Sequence, residues 1–432
     1  MSSLKEDEAI AGEVLEVEIA RVRHLVERGY IPREDGERIL GSLEDLRRNP
    51  RALLEYSEAE DIFEAIEIHL QRSIGESAGW FSLGRSRNDH VAAVLRLKTK
   101  RYVIKILGKI IELRRTILEK ARTYSSQLFP SYTHTREAQP ITFGHYLLGI
   151  EEELEDHYYM LEKTLWVIDV MPIGAGAIGG TTVEMDREEL AKSLGFSRHS
   201  RNTLYMVSSR GFLIFALSIV SSLMALLCRV ANDFILFSSK HYNIVRLPSR
   251  HTSTSSIMPH KVNPVTLEIL RARSGEVSSI LTASIEIYRA TTMGYNLDFQ
   301  EINRLAWRAF NHVIEALEIA IDLIRGSEVN SDRANSVSRD LEMLTADLAE
   351  IISMSRRIPH REAHRLVASK IRAGELERLF EEFLPSRDPM DLLRRKRFRG
   401  SPNPEFVEAY IAEKEKAIQA DETRISTHTG SA

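Results

Sequence analysis

The sequence predicts an all-α fold of three helical domains built around a bundle of long helices. Helical periodicity runs through most of the 432 residues, and series of short alternating β-branched runs are nearly absent. Several of the periodic stretches are also far longer than an average helix. In order, "VLEVEIARVRHLVERGYI" places Leu15, Ile19, Val22, Leu25 and Val26 on one face and stops at Gly29 and Pro32. "PREDGERILGSLEDLRR" then starts a second helix. Residues 91–128 keep an apolar stripe with no proline and one glycine, and similar patterns follow at 141–170, 203–240, 264–290 and 300–326. Rods of this length cannot bury every apolar face within one subunit, so oligomerisation through the bundle is expected. Near residue 335 the pattern shortens ("SDRANSVSRDLEM"). The expected domains are therefore 1–86, 87–335 and 336–432.

Composition narrows the function classes. With 43% hydrophobic and 28% charged residues the chain has the content of a globular protein, not a disordered one. Its 58 basic against 62 acidic residues leave −4, too balanced to favour nucleic acid or an anionic membrane surface. The one basic run, "LLRRKRFRG" at 392–400, reads as a solvated segment. Cys228 is the sole cysteine, which excludes an internal disulfide and a cysteine-based zinc site and fits a reducing, cytoplasmic compartment. "MSSLKEDEAI" lacks the basic start and apolar block of a signal peptide. Gly211 to Cys228 carries no charge and reaches the length of a membrane span, yet it holds three serines between charged amphipathic stretches. It reads as a helix buried in a bundle or subunit interface, with no membrane partner.

Three polar stretches interrupt the helices and could carry chemistry: "GRSRNDH" at 84–90, "SYTHTREAQP" at 131–140 and "SSIMPHKVNP" at 255–264. The first gathers groups that bind carboxylates and orient amines. The second offers Thr133 and His134 just ahead of a helix. The third follows the small polar run "SRHTSTSS", as a mobile loop would, and Asn263-Pro264 reads as the N-cap and first residue of the next helix. No metal-ligand spacing is present in the sequence.

"SSIMPHKVNP" closely resembles the signature loop of the fumarase, aspartase and argininosuccinate lyase superfamily, whose members are helical tetramers that eliminate an amine or water to form fumarate. "GRSRND", "YTH" with "AQPITFGHYL", and "GAGAIGGTT" look like the versions of the argininosuccinate lyase branch, and "TADLAEIISMSRRIPHREAH" at 345–364 resembles its last domain. The likeness runs from about residue 10 to residue 408. It implies a homotetramer whose active sites are shared between subunits, argininosuccinate as the small-molecule substrate, and arginine and fumarate as products, with no metal or organic cofactor. It also implies that Ser255 abstracts the proton and Lys261 stabilises the resulting charge. His134 is the partner acid/base, oriented by Glu268. Ser86, Arg87, Asn88, Thr133, Asn263, Tyr295 and Gln300 contact substrate.

Several positions depart from the lyase pattern. Ser82-Leu83 replaces His-Thr, His90 replaces the usual Gln, and Phe63 stands where a histidine is expected. In "SSRGF", Ser209 and Gly211 replace two aspartates around Arg210. Asn303 replaces a substrate-binding lysine, with Arg304 beside it as a candidate substitute. Asp7 matches an aspartate that follows a glycine-rich segment missing here. These losses touch substrate recognition more than the base. They leave two alternatives: a superfamily enzyme acting on another succinyl adduct such as adenylosuccinate, or a non-catalytic structural homologue.

Overall fold

The computed structural model describes residues 2–384 and 386–429. Helices α1 (Ala11–Glu27) and α2 (Arg33–Arg48) pack on each other, followed by α3 (Ile62–Ile74). The long rods are α4 (Arg87–Thr123) and α5 (Phe143–Ile168), then, after the short α6 (Arg187–Ser193) and α7 (Thr203–Ser208), α8 (Gly211–Ser238), α9 (Val265–Arg289) and α10 (Phe299–Gly326). Shorter helices α11 (Ser331–Ser338), α12 (Thr345–Arg356), α13 (His360–Arg372), α14 (Leu376–Phe383) and α15 (Pro389–Arg395) lead to α16 (Pro404–Thr429). The helical expectation is borne out. The stretch 203–240 is nonetheless two helices, because Ser209 is extended (φ −91°, ψ 130°) and breaks the hydrogen-bond ladder between α7 and α8.

Among the described residues, strands form only three two-stranded ribbons: β1 (Leu128–Thr133) with β2 (Arg136–Thr142), β3 (Val245–Arg246) with β6 (Glu328–Val329), and β4 (Ser253–Thr254) with β5 (Val262–Asn263). Two of them correct the sequence reading. Thr133 and His134 do not precede a helix directly; they lie at the tip of the β1–β2 hairpin, where Thr133 pairs with Arg136. Asn263 is not an N-cap, because it pairs with Ser253 in the ladder, and Pro264 takes the cap position of α9 with no side-chain cap bond.

One apolar core runs through α4, α5, α8, α9 and α10 and takes in the inner faces of α1 to α3, including Leu15, Ile19, Val22 and Leu25. A second, smaller core joins α12 to α15 through Leu348, Ile352, Val367, Phe380 and Leu392. We propose domain limits at residues 86 and 335; the first falls where α4 begins and the second within α11, after the rods have ended. The last helix nevertheless returns to the bundle. Arg114 on α4, with no exposed side-chain surface, donates Nε to Glu151 Oε1 (2.9 Å) and Nη2 to Glu155 Oε1 (2.6 Å) on α5, and Nη1 to Asp421 Oδ2 (2.7 Å) on α16. The cation is thus neutralised by carboxylates from two other helices, α5 and α16. Helix α8 is long and apolar enough to cross a membrane, but more than half of its apolar window is buried within this chain, as a bundle helix requires. The basic run at 392–400 is partly neutralised from within: Lys396 pairs with Asp347 (3.1 Å), Arg399 with Glu413 (2.6 Å) and Arg394 with Asp391 (3.5 Å).

Candidate functional site

The start of α4 assembles the first part of the site. Ser86 caps the helix, its Oγ accepting from Asn88 N at 3.3 Å. One turn on, the buried Asp89 accepts from Gly174 N (3.0 Å) and Gly176 N (2.9 Å) through Oδ2. It thereby pins the turn "GAGAIGG" against α4. Gly176 has φ +59°, and a Cβ there would lie 2.5 Å from Gly180 O, so only glycine fits this turn. The turn presents Ala177 O, which accepts from Asn88 Nδ2 at 3.0 Å. Arg87 reaches the other way, donating to Asp61 Oδ2 at 3.0 Å and Glu60 Oε2 at 3.3 Å.

The "YNLDFQE" stretch ahead of α10 closes this face. Tyr295 lies within electrostatic reach of Asp61 and Arg87 and hydrogen-bonds Gln300. Burial pushes the Tyr295 hydroxyl up, which keeps it protonated as a donor. Beside Gln300 a cleft of about 200 Å³ is lined by Asp7, Asn303 and Arg304. Ser86, Arg87, Asn88, Tyr295 and Gln300 therefore come together within one chain. Sequence reasoning missed Asp61 and Ala177 as parts of this cluster; the acidic pair Glu60-Asp61 ahead of α3 was the available signal for the first.

The Asp7 carboxyl is pushed up to about 6 by burial, despite accepting from Ser3 Oγ (2.9 Å) and Ile62 N (3.3 Å), with Asp61 and Glu6 adding repulsion. A folded-state value above the unfolded one favours the native state at low pH. That contribution is complete below about 4 and is lost as pH rises through about 6. We expect Asp7→Asn to flatten this part of the stability profile and to raise stability at pH 8 by roughly 1–3 kcal/mol, read by urea denaturation at pH 4, 6 and 8. Equal slopes in wild type and variant would rule out Asp7 as the source.

The remaining site residues stand elsewhere. His134 and Thr135 form the two-residue tip of the β1–β2 hairpin with φ +51° and +62°. Asn-Gly is the usual choice for such a turn, and a β-branched residue in this region is strained by roughly 1–2 kcal/mol. The turn holds the exposed imidazole out from the bundle. Ser255 opens a loop whose neck is the β4–β5 ladder: Ser255 N donates to Lys261 O at 2.9 Å, and Lys261 N to Met258 O at 2.9 Å. Ser255 Oγ accepts from Met258 N at 3.2 Å, so one loop amide already points at the candidate base. Lys261 and Ile257 are exposed, and Glu268 faces solvent near the start of α9. Among the described residues no hydrogen bond joins His134, Ser255 or Glu268 to one another or to the Tyr295 cluster.

The departures from the lyase pattern have physical explanations. His90 Nδ1 lies 2.8 Å from Glu18 Oε1 in a fully buried network that also holds Arg21 and Arg85. Phe63 lies beneath the Arg85 guanidinium at 5.8 Å, and Leu83 O accepts from Arg21 at 3.0 Å. Arg85 in "GRSRND" is therefore part of the scaffold. Arg210 is completely buried and pairs with no carboxylate among the described residues. It donates to Ser209 O (3.1 Å), stacks on Phe299 at 4.7 Å, and is pulled down to about 10 by burial. Asn303 has a buried Oδ1 with no hydrogen-bond partner among the described residues. Arg304 does not replace the missing lysine, because its guanidinium is held by Glu6 and Glu301.

A family profile described as a lyase matches residues 2–279. The chain is 41% identical over 430 residues to an argininosuccinate lyase of Pyrococcus furiosus, covering 98% of this chain and 93% of that protein. It is 41% identical over 427 residues to an argininosuccinate lyase of Sulfurisphaera tokodaii, with 99% and 92% covered. Among solved structures, an EDDS lyase in complex with formate superposes with a TM-score of 0.89 at 24% identity over 98% of this chain and 89% of that one. A class II fumarase from Schistosoma mansoni superposes with a TM-score of 0.69 at 17% identity over 87% and 89%. Both structural likenesses concern the fold.

Proposed function

We propose a reaction for a chain that belongs to the argininosuccinate lyase family: it splits argininosuccinate into arginine and fumarate, the last step of arginine formation. The observation that carries the reading is the convergence of Ser86, Arg87, Asn88, Tyr295 and Gln300 on one face, beside a cleft whose lining includes Asp7. Such a face offers donors to a succinyl carboxylate and acceptors to amine and guanidine groups.

The chemistry assigns roles to the remaining groups. A base removes a proton from the carbon next to a carboxylate, the electron pair forms the new double bond as the C–N bond breaks, and an acid returns a proton to the leaving guanidino nitrogen. Ser255 is our base. An alkoxide is costly in water, and the Met258 amide together with Lys261 reduces that cost as the loop closes over substrate. Lys261 and Asn263 meet the dianionic carboxylate, and preorganised donors at developing charge are the largest lever such a site has. His134, with Thr133 beside it, supplies the acid, and Glu268 orients the imidazole.

Because no hydrogen bond joins His134, Ser255 and Glu268 among the described residues, we infer that a complete site requires several copies. We therefore propose a homotetramer with shared active sites, acting in the cytoplasm. Its test is fumarate release followed by ultraviolet absorbance, with argininosuccinate and adenylosuccinate as separate substrates. Release from argininosuccinate is expected. Release from adenylosuccinate alone would favour another succinyl adduct, the reading that the unpartnered Asn303 Oδ1 and the diverted Arg304 support. An intact tetramer that releases fumarate from neither would overturn the lyase assignment. We also expect His134→Asn to lower kcat by about 100-fold or more without changing the tetramer.

A further inference from the structure

A cavity of about 650 Å³ opens between the end of α5, α6 and the loop leading into α7, and it shares no lining residue with the candidate site. Its floor is apolar, with Val170, Phe196 and Met206 buried. Its rim is cationic. Lys192, Arg198 and Arg201 all line it, and among the described residues none of the three makes an ion pair with a carboxylate. That is unusual in this molecule, where most guanidinium groups lie within 4.0 Å of an acid. Glu188 is the only carboxylate in the lining. Behind the wall Arg96 adds a fully buried cation. It donates through Nη1 to Val167 O and Ile168 O, and it lies within electrostatic reach of Tyr205 and Arg198.

Two aromatic side chains complete the cavity. Trp166 is 71% exposed and Tyr205 43% exposed, although rings of this size are usually covered. Arg198 stacks over Trp166, 3.7 Å from the ring centroid, and also donates to the Trp166 carbonyl, so its fork is held in place before any ligand arrives. Unpaired surface cations are ordinarily just solvated. Here they converge on a concave site within the size range of small-molecule pockets, where low-dielectric walls concentrate their field.

We propose that this cavity binds a small organic anion of nucleotide type, its flat ring against Trp166 and Tyr205 and its phosphate held by Lys192, Arg198 and Arg201. Three cations match the oxygens of a phosphate better than the two of a carboxylate. The cavity shares no lining residue with the candidate site, so it is a second, separate site whichever succinyl compound the lyase site takes.

The experiment titrates the purified assembled protein with AMP, adenosine and inorganic phosphate by calorimetry, with tryptophan emission followed in parallel. Saturable AMP binding is expected, about tenfold or more tighter than binding of either part alone. Arg201→Glu and Lys192→Glu should each weaken it by about tenfold or more while leaving the melting temperature and fumarate release unchanged. Trp166→Phe should remove most of the emission change and keep the calorimetric signal. Absence of saturable AMP binding, as when a neighbouring subunit covers the cavity, would overturn the proposal. So would AMP binding that neither charge reversal weakens. Phosphate binding as tightly as AMP would overturn the role of the two rings.

Discussion

Ser255→Ala is expected to abolish fumarate release, by about 1,000-fold or more in kcat, with the assembly and its melting temperature unchanged. The expectation follows from what the hydroxyl does and from what it leaves undone. Its Oγ accepts one amide bond, from Met258, at the neck of an exposed loop, so its removal opens no cavity and deprives one donor of its partner. The folded state loses little, whereas the transition state loses the group that takes the proton. Mixing adds a sharper test. Ser255→Ala and His134→Asn chains, each inactive alone, should regain part of the activity when unfolded and refolded together, because a site drawing these residues from different subunits can find both intact. Activity of Ser255→Ala near the wild-type level would remove Ser255 as the base. Failure of mixed assemblies to recover would place both groups in a site of one chain.

The second large effect concerns stability. Glu18 has no exposed side-chain surface and accepts from Arg21 Nη2 (3.1 Å), Arg85 Nε (2.8 Å) and His90 Nδ1 (2.8 Å). Burial alone would push its carboxyl up, but Arg85, His90 and Arg21 together outweigh that cost and hold it well below the usual carboxylate range. Glu18→Ala would leave Arg21 with only the backbone oxygens of Phe81 and Leu83, Arg85 with only Glu67, and the His90 imidazole without its carboxylate. Breaking a buried pair typically costs about 3–5 kcal/mol, and here one carboxylate serves three partners. We expect loss of that order in the unfolding free energy from urea denaturation, with Glu18→Gln only partly restoring it because an amide oxygen carries no charge. The same depression works with pH: the contribution is present above the ordinary glutamate value and is lost as pH falls through the lowered one. A Glu18→Ala unfolding free energy within about 1 kcal/mol of wild type would mean that the Phe81 and Leu83 oxygens suffice for Arg21 and Glu67 for Arg85.

The long rods were legible in the sequence because an apolar stripe repeated over twenty or more residues admits one periodicity. The readings 264–290 and 300–326 lie within a residue of α9 and α10. What was not legible is pairing across distance. The β1–β2 hairpin escaped notice because its strands carry Pro130 and Pro140, which face each other in the register, and its tip is His-Thr in place of Asn-Gly. Asn263 was misread because a capping residue and a short ladder residue look alike from composition. The motif "GRSRND" announced a site, but not that Arg85 and Asp89 serve the scaffold while Arg87 turns to Asp61 and Asn88 to Ala177 O; helical geometry and partners 67 to 87 residues away decide that division.

The Arg114 cluster bears on how the chain is made. Its acids on α5 follow within about forty residues, but Asp421 lies 307 residues downstream. At ordinary ribosomal speeds of about 5–20 residues per second, roughly 15–60 s separate the emergence of that arginine from the arrival of its last partner. Throughout that interval the face of α4 that receives α16 is bare. Nascent chains of this protein therefore leave that face, with Arg114, Arg115 and Arg122 on it, uncovered until α16 emerges, and it is this face, more than any local segment, that a chaperone acting on the growing chain would have to shield.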